Sequence, residues 1–195
     1  DVFIPDYRTH RSIDGFLCQN PGQEVNTGPL YSLPWAQVFV RSVSTAAFGG
    51  AEAAIKAGLA IMQDRISTNT GKASKDDPML QAALASAIAE KSEMETTLRL
   101  TFEELMGYAN RGEAIPMEKR TFFAYQSSTV VRRLADLIDD IVKQLGGRAI
   151  YMTSEIIQPW LDLHAGRAHV ANDPANRSGE AIATMLGAAP LNPFV

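Results

Sequence analysis

The chain of 195 residues contains one cysteine and three histidines, and its net charge is −4. A single thiol, Cys18, excludes an internal disulfide framework and fits a reducing, cytoplasmic compartment. The acidic balance provides no basic surface for a nucleic-acid partner. No apolar run approaches the roughly 20 residues that span a bilayer, so no membrane partner is expected either. There is no Walker, Rossmann or metal-ligand motif, and no internal repeat. Two of the histidines, His164 and His169, are five residues apart, about 140° around a helix. A zinc pair four apart would share one helical face. These two do not, so no metal site is expected.

What is present is the composition of an ordinary globular domain, 46% hydrophobic and 21% charged, at a length that suits one domain. The first residues, Asp1-Val2-Phe3-Ile4-Pro5, read as the end of a strand cut by proline. They suggest a fragment, or one domain of a longer protein. Residues 1–34 are dense in Gly and Pro and read as an irregular lead-in or linker. Its apolar residues Phe3, Ile4, Phe16, Leu17, Leu30 and Leu33 are expected to pack down. Residues 35–195 form the helical domain proper.

A first helix is expected from Trp35 to about Thr68. Ten of the fifteen residues from Ala46 to Ala60 are Ala or Gly. Each interior Gly costs about 1 kcal/mol against Ala, so Gly49, Gly50 and Gly58 suggest close approach by a neighbouring helix or a ligand. Asn69 to Asp77 reads as a polar loop. Asp77-Pro78 reads as an N-cap with Pro at the first helical position. A second helix follows to about Asn110, with Leu80, Leu84, Ala87, Ile88, Met94, Leu98, Phe102 and Leu105 at helical spacing. A third runs from about Met117 to Leu145 on a stripe of Phe123, Val130, Leu134, Leu137, Ile138, Ile141 and Leu145, and Gly146-Gly147 stops it. Phe122 and Phe123 are adjacent and cannot point the same way from a helix, so one is expected to face a partner subunit. A short helix lies between Pro159 and Pro174, and a last one spans about Asn176 to Leu186. Long helices with short links predict an all-α, up-and-down four-helix bundle.

The chemistry-bearing stretch is Trp160 to Pro174, which holds His164 and His169 beside a Trp, an Asp and an Arg. An imidazole can donate or accept a proton near neutral pH. Partly buried structural histidines are the plainer alternative.

Three features in order resemble the C-terminal helical domain of the acyl-CoA dehydrogenase fold. They are Arg41 nine residues before Gly50 in a small-residue helix, the long helix through Leu134-Ala135-Asp136 to Gly146-Gly147, and Trp160-Leu161-Asp162 beyond it. Val2-Phe3-Ile4-Pro5 is similar to the last strand of that family's central β domain. The resemblance implies a flavoprotein, usually a homotetramer with flavin between subunits. The family's dehydrogenases need a glutamate base. Its usual position, ten residues after the Trp, is Val170 here. The minority position, immediately before the first helix's Arg, is Val40. Tyr151-Met152-Thr153-Ser154-Glu155-Ile156 resembles the base-bearing segment, but it precedes the Trp and places Met152 where the Glu would be.

Around Leu163-His164-Ala165 and His169 the chain is more similar to the two-component flavin monooxygenases. The resemblance then implies an oxygenase component that takes reduced FMN or FAD from a separate NAD(P)H-flavin reductase. It would add O2 to form a flavin C4a-hydroperoxide and hydroxylate a phenolic or other aromatic substrate. By that resemblance His169 is the catalytic residue, and Arg41, His164 and Trp160 bind substrate. Gly146, Gly147, Arg65 and Gln81 bind the cofactor. The family's dinucleotide enzymes carry Arg-x-x-Phe-Gly and a later Gln. Arg65, Gly71 and Gln81 lie in that region without the Phe-Gly, which favours FMN or loosely held reduced FAD. Two other readings stay open: a dehydrogenase-like flavin oxidoreductase with an unusual base, and a non-catalytic helical oligomerisation module.

Overall fold

The glycine at position 58 explains how the long helices pack. In a computed structural model of the chain, which describes all residues except 68–70, 72, 193 and 194, α2 (Trp35–Asp64), α3 (Pro78–Arg111) and α4 (Met117–Leu145) are the three long helices. A Cβ on Gly58 of α2 would stand 3.1 Å from the Ile141 side chain of α4 and 3.3 Å from Leu84 of α3. The bare backbone at 58 is therefore what lets these helices meet. Gly50 makes ordinary contact with Leu163, and Gly49 faces open space, so of the three glycines only Gly58 has the tight role expected for them.

Short helices complete the described chain: α1 (Ser12–Phe16), α5 (Ile157–Arg167) and α6 (Ala175–Met185). Among the described residues there is no strand, only an isolated bridge between Ile66 and Ala73. The fold is an all-α helical bundle, and none of its helices is long and apolar enough to cross a membrane.

The chain forms two compact units. One comprises 43–97 and 128–173. In it Glu52 pairs with Lys91 at 3.0 Å and Gly58 meets Leu84, so α2 and α3 run antiparallel. Gly58 meets Ile141 and Arg65 bonds the Leu145 carbonyl, so α2 and α4 run the same way. The short α5 lies against α4 in the opposite sense, with Trp160 at Asp139 and Arg167 at Asp136. This up-down-up-down order follows the short links. Leu80, Leu84, Ala87, Met94, Leu134, Ile138, Ile141, Leu145 and Leu163 are buried there. Ile88, expected on the apolar stripe, is exposed instead, one residue past the buried Ala87.

The other unit comprises 1–42, 98–127 and 174–195. Its core is Leu33, Leu105 and Phe123, with Phe102, Met106 and Phe122 packed against it. Phe123 is buried in this core and Phe122 stays half-buried against it. Arg120 is the polar tie. Its Nη2 donates to the Phe16 carbonyl at 3.0 Å and to the Val195 carbonyl at 2.6 Å, and its guanidinium lies over the Phe16 ring. Burial pushes its pKa down.

Several boundaries differ from the sequence reading. α2 ends at Asp64, not near Thr68. The chain there turns back, with Ile66 bridging Ala73 and the Ser74 N–H donating to the Arg65 carbonyl. Thr68 and Asn69 lie outside the described residues. The lead-in is less irregular than expected, holding α1 and three single-turn helical segments. Of its apolar residues only Leu33 is buried outright; Phe16 is half-buried, and Phe3, Ile4, Leu17 and Leu30 are exposed. Val2-Phe3-Ile4, expected as a strand end, pairs with nothing among the described residues.

Gly58→Leu should lower stability by about 1–3 kcal/mol through overpacking. Gly49→Ala should raise it by up to about 1 kcal/mol, since it removes an interior glycine at no steric cost. Urea unfolding of both variants checks the pair, and equal effects would contradict the packing described.

Candidate functional site

The functional stretch is built on α5. Trp160 and His164 are four residues apart, so they share a helix face. Both bring an N–H to that face, and one acceptor serves both. The Asp139 Oδ1 of α4 accepts from Trp160 Nε1 at 2.6 Å and from His164 Nε2 at 2.8 Å. The two rings stack edge to face, 5.0 Å apart. Lower on the same pair of helices, Arg167 Nη1 donates to Asp136 at 3.0 Å. Asp139 was not singled out from sequence. The Trp-x-x-x-His spacing was the available signal, because two N–H groups on one face call for an acidic or carbonyl partner.

His169 sits elsewhere than expected. α5 stops at Arg167, and His169 lies beyond it with φ −73° and ψ 133°, as the N-cap of a single helical turn, Val170–Asn172. The 140° relation between the histidines therefore does not apply, and no common helix aims them. Gly166 sits near the helix end, and the chain turns there before Pro174 would have stopped it. The imidazole is exposed. Its Nδ1 accepts the Ala171 N–H at 3.1 Å, so in the neutral ring the proton is on Nε2.

The expected cofactor residues divide. Arg65 Nη1 donates to the Leu145 carbonyl, the last of α4. Next to it Gly146 has φ +73°, the left-handed region that favours glycine. A Cβ there would stand 3.7 Å from Arg65 Nη2. Arg65, Leu145, Arg148, Tyr151, Thr153 and Ser154 line a cleft of about 370 Å³. Gly147, the next residue, opens onto free space. Gln81 is not among the residues lining this cleft, and its Nε2 donates to the Lys75 carbonyl at 2.8 Å. A second cleft, about 290 Å³, runs beside α5 along Val43, Ala46, Gly50, Val131, Leu163 and Gly166.

Arg41 belongs to the other unit from these residues. It is buried. Its Nη1 donates to the Leu98 carbonyl at 3.1 Å, its guanidinium lies over the Phe102 ring, and burial pushes its pKa down to about 10. Val40 is 2% exposed and Val170 is 71% exposed. Neither side chain can take a proton. Among the described residues no group of three or more His, Cys, Asp or Glu could hold a metal.

The site thus sits on a helical bundle whose short fourth helix is braced to α4 by Asp139 and Asp136, with an arginine-lined cleft at the end of α4. Residues 42–174 match the family described as acyl-CoA dehydrogenase, C-terminal domain, and the chain belongs to that family. It is 28% identical over its whole length to a pigment production hydroxylase of Rhodococcus erythropolis, covering 49% of that protein. It is 29% identical over 89% of its length to the flavin-dependent monooxygenase oxygenase subunit HsaA of Rhodococcus jostii, covering 46% of it. Among solved structures, a 3-HSA hydroxylase from Rhodococcus sp. RHA1 superposes with a TM-score of 0.91 at 26% identity, covering all of this chain and 50% of that one. XiaF from Streptomyces sp., solved with FADH2 and glycerol, shares the fold at a TM-score of 0.84 and 14% identity, again covering all of this chain and 49% of that one. The chain spans about half the length of these relatives.

Asp139→Ala should destabilise the protein by about 1–3 kcal/mol, because it leaves two donors without their shared acceptor. Asp162→Ala, which removes an exposed carboxylate bonded only to Gln158 among the described partners, should stay within about 0.5 kcal/mol. Thermal unfolding of the two variants separates them.

Proposed function

We propose that this chain is the helical part of the oxygenase component of a two-component flavin-dependent monooxygenase. Such an enzyme takes reduced FMN or FAD from a separate NAD(P)H-flavin reductase and uses O2 to hydroxylate a phenolic or other aromatic substrate. One observation carries the reading. The two positions where the family's dehydrogenases keep a glutamate hold Val40 and Val170, and an imidazole, His169, stands directly beside the second. The names of the relatives support the same direction.

The residues present fit a reduced flavin. Arg65 and Arg148 give the cleft at the end of α4 two cations, Thr153 and Ser154 give it hydroxyls, and Gly146 holds the left-handed turn beside them. Phosphate oxygens suit guanidinium groups of this kind. Arg65, Gly146 and Gly147 would hold the flavin's phosphate-bearing end. Gln81 would act only through the loop it bonds. When bound, the flavin supplies the oxygen activation.

The chain's own part is at the substrate hydroxyl. A phenol attacks an electrophilic oxygen best as it becomes phenolate. His169 Nδ1 is engaged by the Ala171 N–H, so Nε2–H is the group that faces outward as a donor. We therefore assign His169 as the donor that stabilises the phenolate oxygen, instead of a base that removes the proton outright. Base action at Nε2 would need the other tautomer, which sets Nδ1–H against the Ala171 N–H. Trp160 and His164, committed to Asp139, form the wall that keeps α5 in place. Arg41 donates to the Leu98 carbonyl through Nη1, and its expected role at the substrate stays part of the proposal. The homotetramer and the cytoplasmic location expected from sequence remain part of the proposal.

The whole protein, mixed anaerobically with reduced flavin and then with O2 and a panel of phenols, should yield hydroxylated product. Oxidation of the flavin with no product from any phenol would overturn the reading. His169→Ala should cut the hydroxylation rate about 10²–10³-fold, as for loss of one donor to a developing oxyanion. His169→Asn, which keeps a donor, should retain most of the rate. Equal loss in both would make His169 a base after all. Arg65→Ala should weaken binding of the reduced flavin, measured anaerobically by fluorescence titration.

A further inference from the structure

We propose that Asn172 is a positioning residue for His169, and that it acts by clamping the turn that carries the imidazole to the end of α5. The proposal rests on the reading of His169 given above.

Asn172 is 1% exposed, unlike the exposed His169 three residues earlier. It makes two bonds that bracket His169. Its side-chain Nδ2 donates to the Gly166 carbonyl at 2.8 Å, and its backbone N–H donates to the His169 carbonyl at 2.9 Å. The same Gly166 carbonyl also accepts the His169 N–H at 3.2 Å. Gly166 is in the last turn of α5, where carbonyls have no partner inside the helix. One helix-end carbonyl therefore fixes His169's backbone directly and Asn172's side chain across the turn. Between them the Ala171 N–H is held 3.1 Å from His169 Nδ1. That last bond sets the tautomer, and it forms only while the turn Val170–Asn172 stays closed.

An apolar side chain could fill the same buried space. It could not bond Gly166. Asn172 Oδ1 is itself buried and has no hydrogen-bond partner among the described residues, so burying this amide costs free energy that an apolar residue would avoid. The offsetting gain is the Nδ2 bond. Because that bond ties a helix end to the His169 turn, its loss frees the turn and the Nδ1 contact with it. The exposed His169 has few other contacts to hold it.

Three measurements on the whole protein test this, using reduced flavin, O2 and the phenol on which the parent enzyme acts. Hydroxylated product per flavin oxidised should fall at least tenfold in Asn172→Ala, while binding of reduced flavin changes less than twofold. In a His169→Ala background the same substitution should cause no further fall, because residues that act as one unit are not additive. A further fall of the same size there would show that Asn172 acts independently of His169 and would overturn the proposal. So would full coupling in Asn172→Ala when His169→Ala is uncoupled. If His169→Ala is itself fully coupled, the assignment of His169 has failed. The clamp is then judged by NMR of the ring nitrogens in protein labelled with 15N-histidine. There the His169 Nδ1 signal should leave the position of a hydrogen-bonded acceptor in Asn172→Ala, and an unmoved signal overturns the clamp. Should the Ala variant not fold, Asn172→Leu keeps close to the volume, lacks the donor, and must give the same NMR shift and the same loss of coupling.

Discussion

The carboxylate of Asp139 carries the short fourth helix. Two of the polar groups that α5 turns toward α4, Trp160 Nε1 and His164 Nε2, end on one oxygen of that carboxylate, and a third, Arg167, ends on Asp136. α5 has 11 residues, fewer than the 12–15 or so at which an isolated helix becomes even marginal in water. It has no side-chain N-cap. Its place is therefore set by tertiary contacts: Leu163 in the core, Gly166 packed so that a Cβ there would stand 3.4 Å from Val131, and the two bonds to Asp139. The turn that follows, Val170–Asn172, inherits that placement. The Gly166 carbonyl is the anchor of the next turn, and the turn holds the imidazole of His169. A chain of short-range bonds thus runs from a helix-facing carboxylate to an exposed ring.

The family's two chemistries differ at this point. A dehydrogenase puts a carboxylate where it can remove a carbon-bound proton. In the proposed reading that place is Val170, 71% exposed, and the neighbouring His169 has its Nδ1 bonded to the Ala171 N–H. A ring held in this way donates from Nε2 more readily than it accepts, because the competing tautomer would oppose two N–H groups. The arginine-lined cleft past α4 is separate in role. It offers cations, hydroxyls and a left-handed glycine turn, which suit binding of a phosphate-bearing group.

Much of the fold could be read in the sequence because its signals are local and strong. Met117–Leu145 was placed to the residue, since its apolar stripe is regular and Gly146-Gly147 stops it. Asp77-Pro78 marked the start of α3, and Asp77 does cap it, accepting the Met79 N–H at 2.9 Å. The failures have a common cause in long-range pairing. α2 looked longer because the residues after Asp64 do not forbid a helix, and it is the Ile66–Ala73 bridge that turns the chain. The lead-in looked packed because its side chains are apolar, yet Phe3 is 87% exposed. At the site, residue types were legible and their grouping was not. Arg65 and Gly146 do meet. Gln81 does not line their cleft, and Arg41 bonds a helix carbonyl. Nothing in the local pattern showed that α5 ends before His169, because Pro174 was the visible stop and the Gly166 turn was not. Asp139 acquires its role only from partners 21 and 25 residues away, and Asn172 acquires its role from the turn after α5, whose start the pattern did not show.

The most direct test of the functional account is the source of the new oxygen atom. The whole protein, supplied with NADH, a flavin reductase, a phenol and 18O2, should transfer one labelled oxygen into the product hydroxyl, read by mass spectrometry, and none when the label is in water. Product that draws its oxygen from water, or reduction of the bound flavin by an acyl-CoA in place of any hydroxylation, would contradict it.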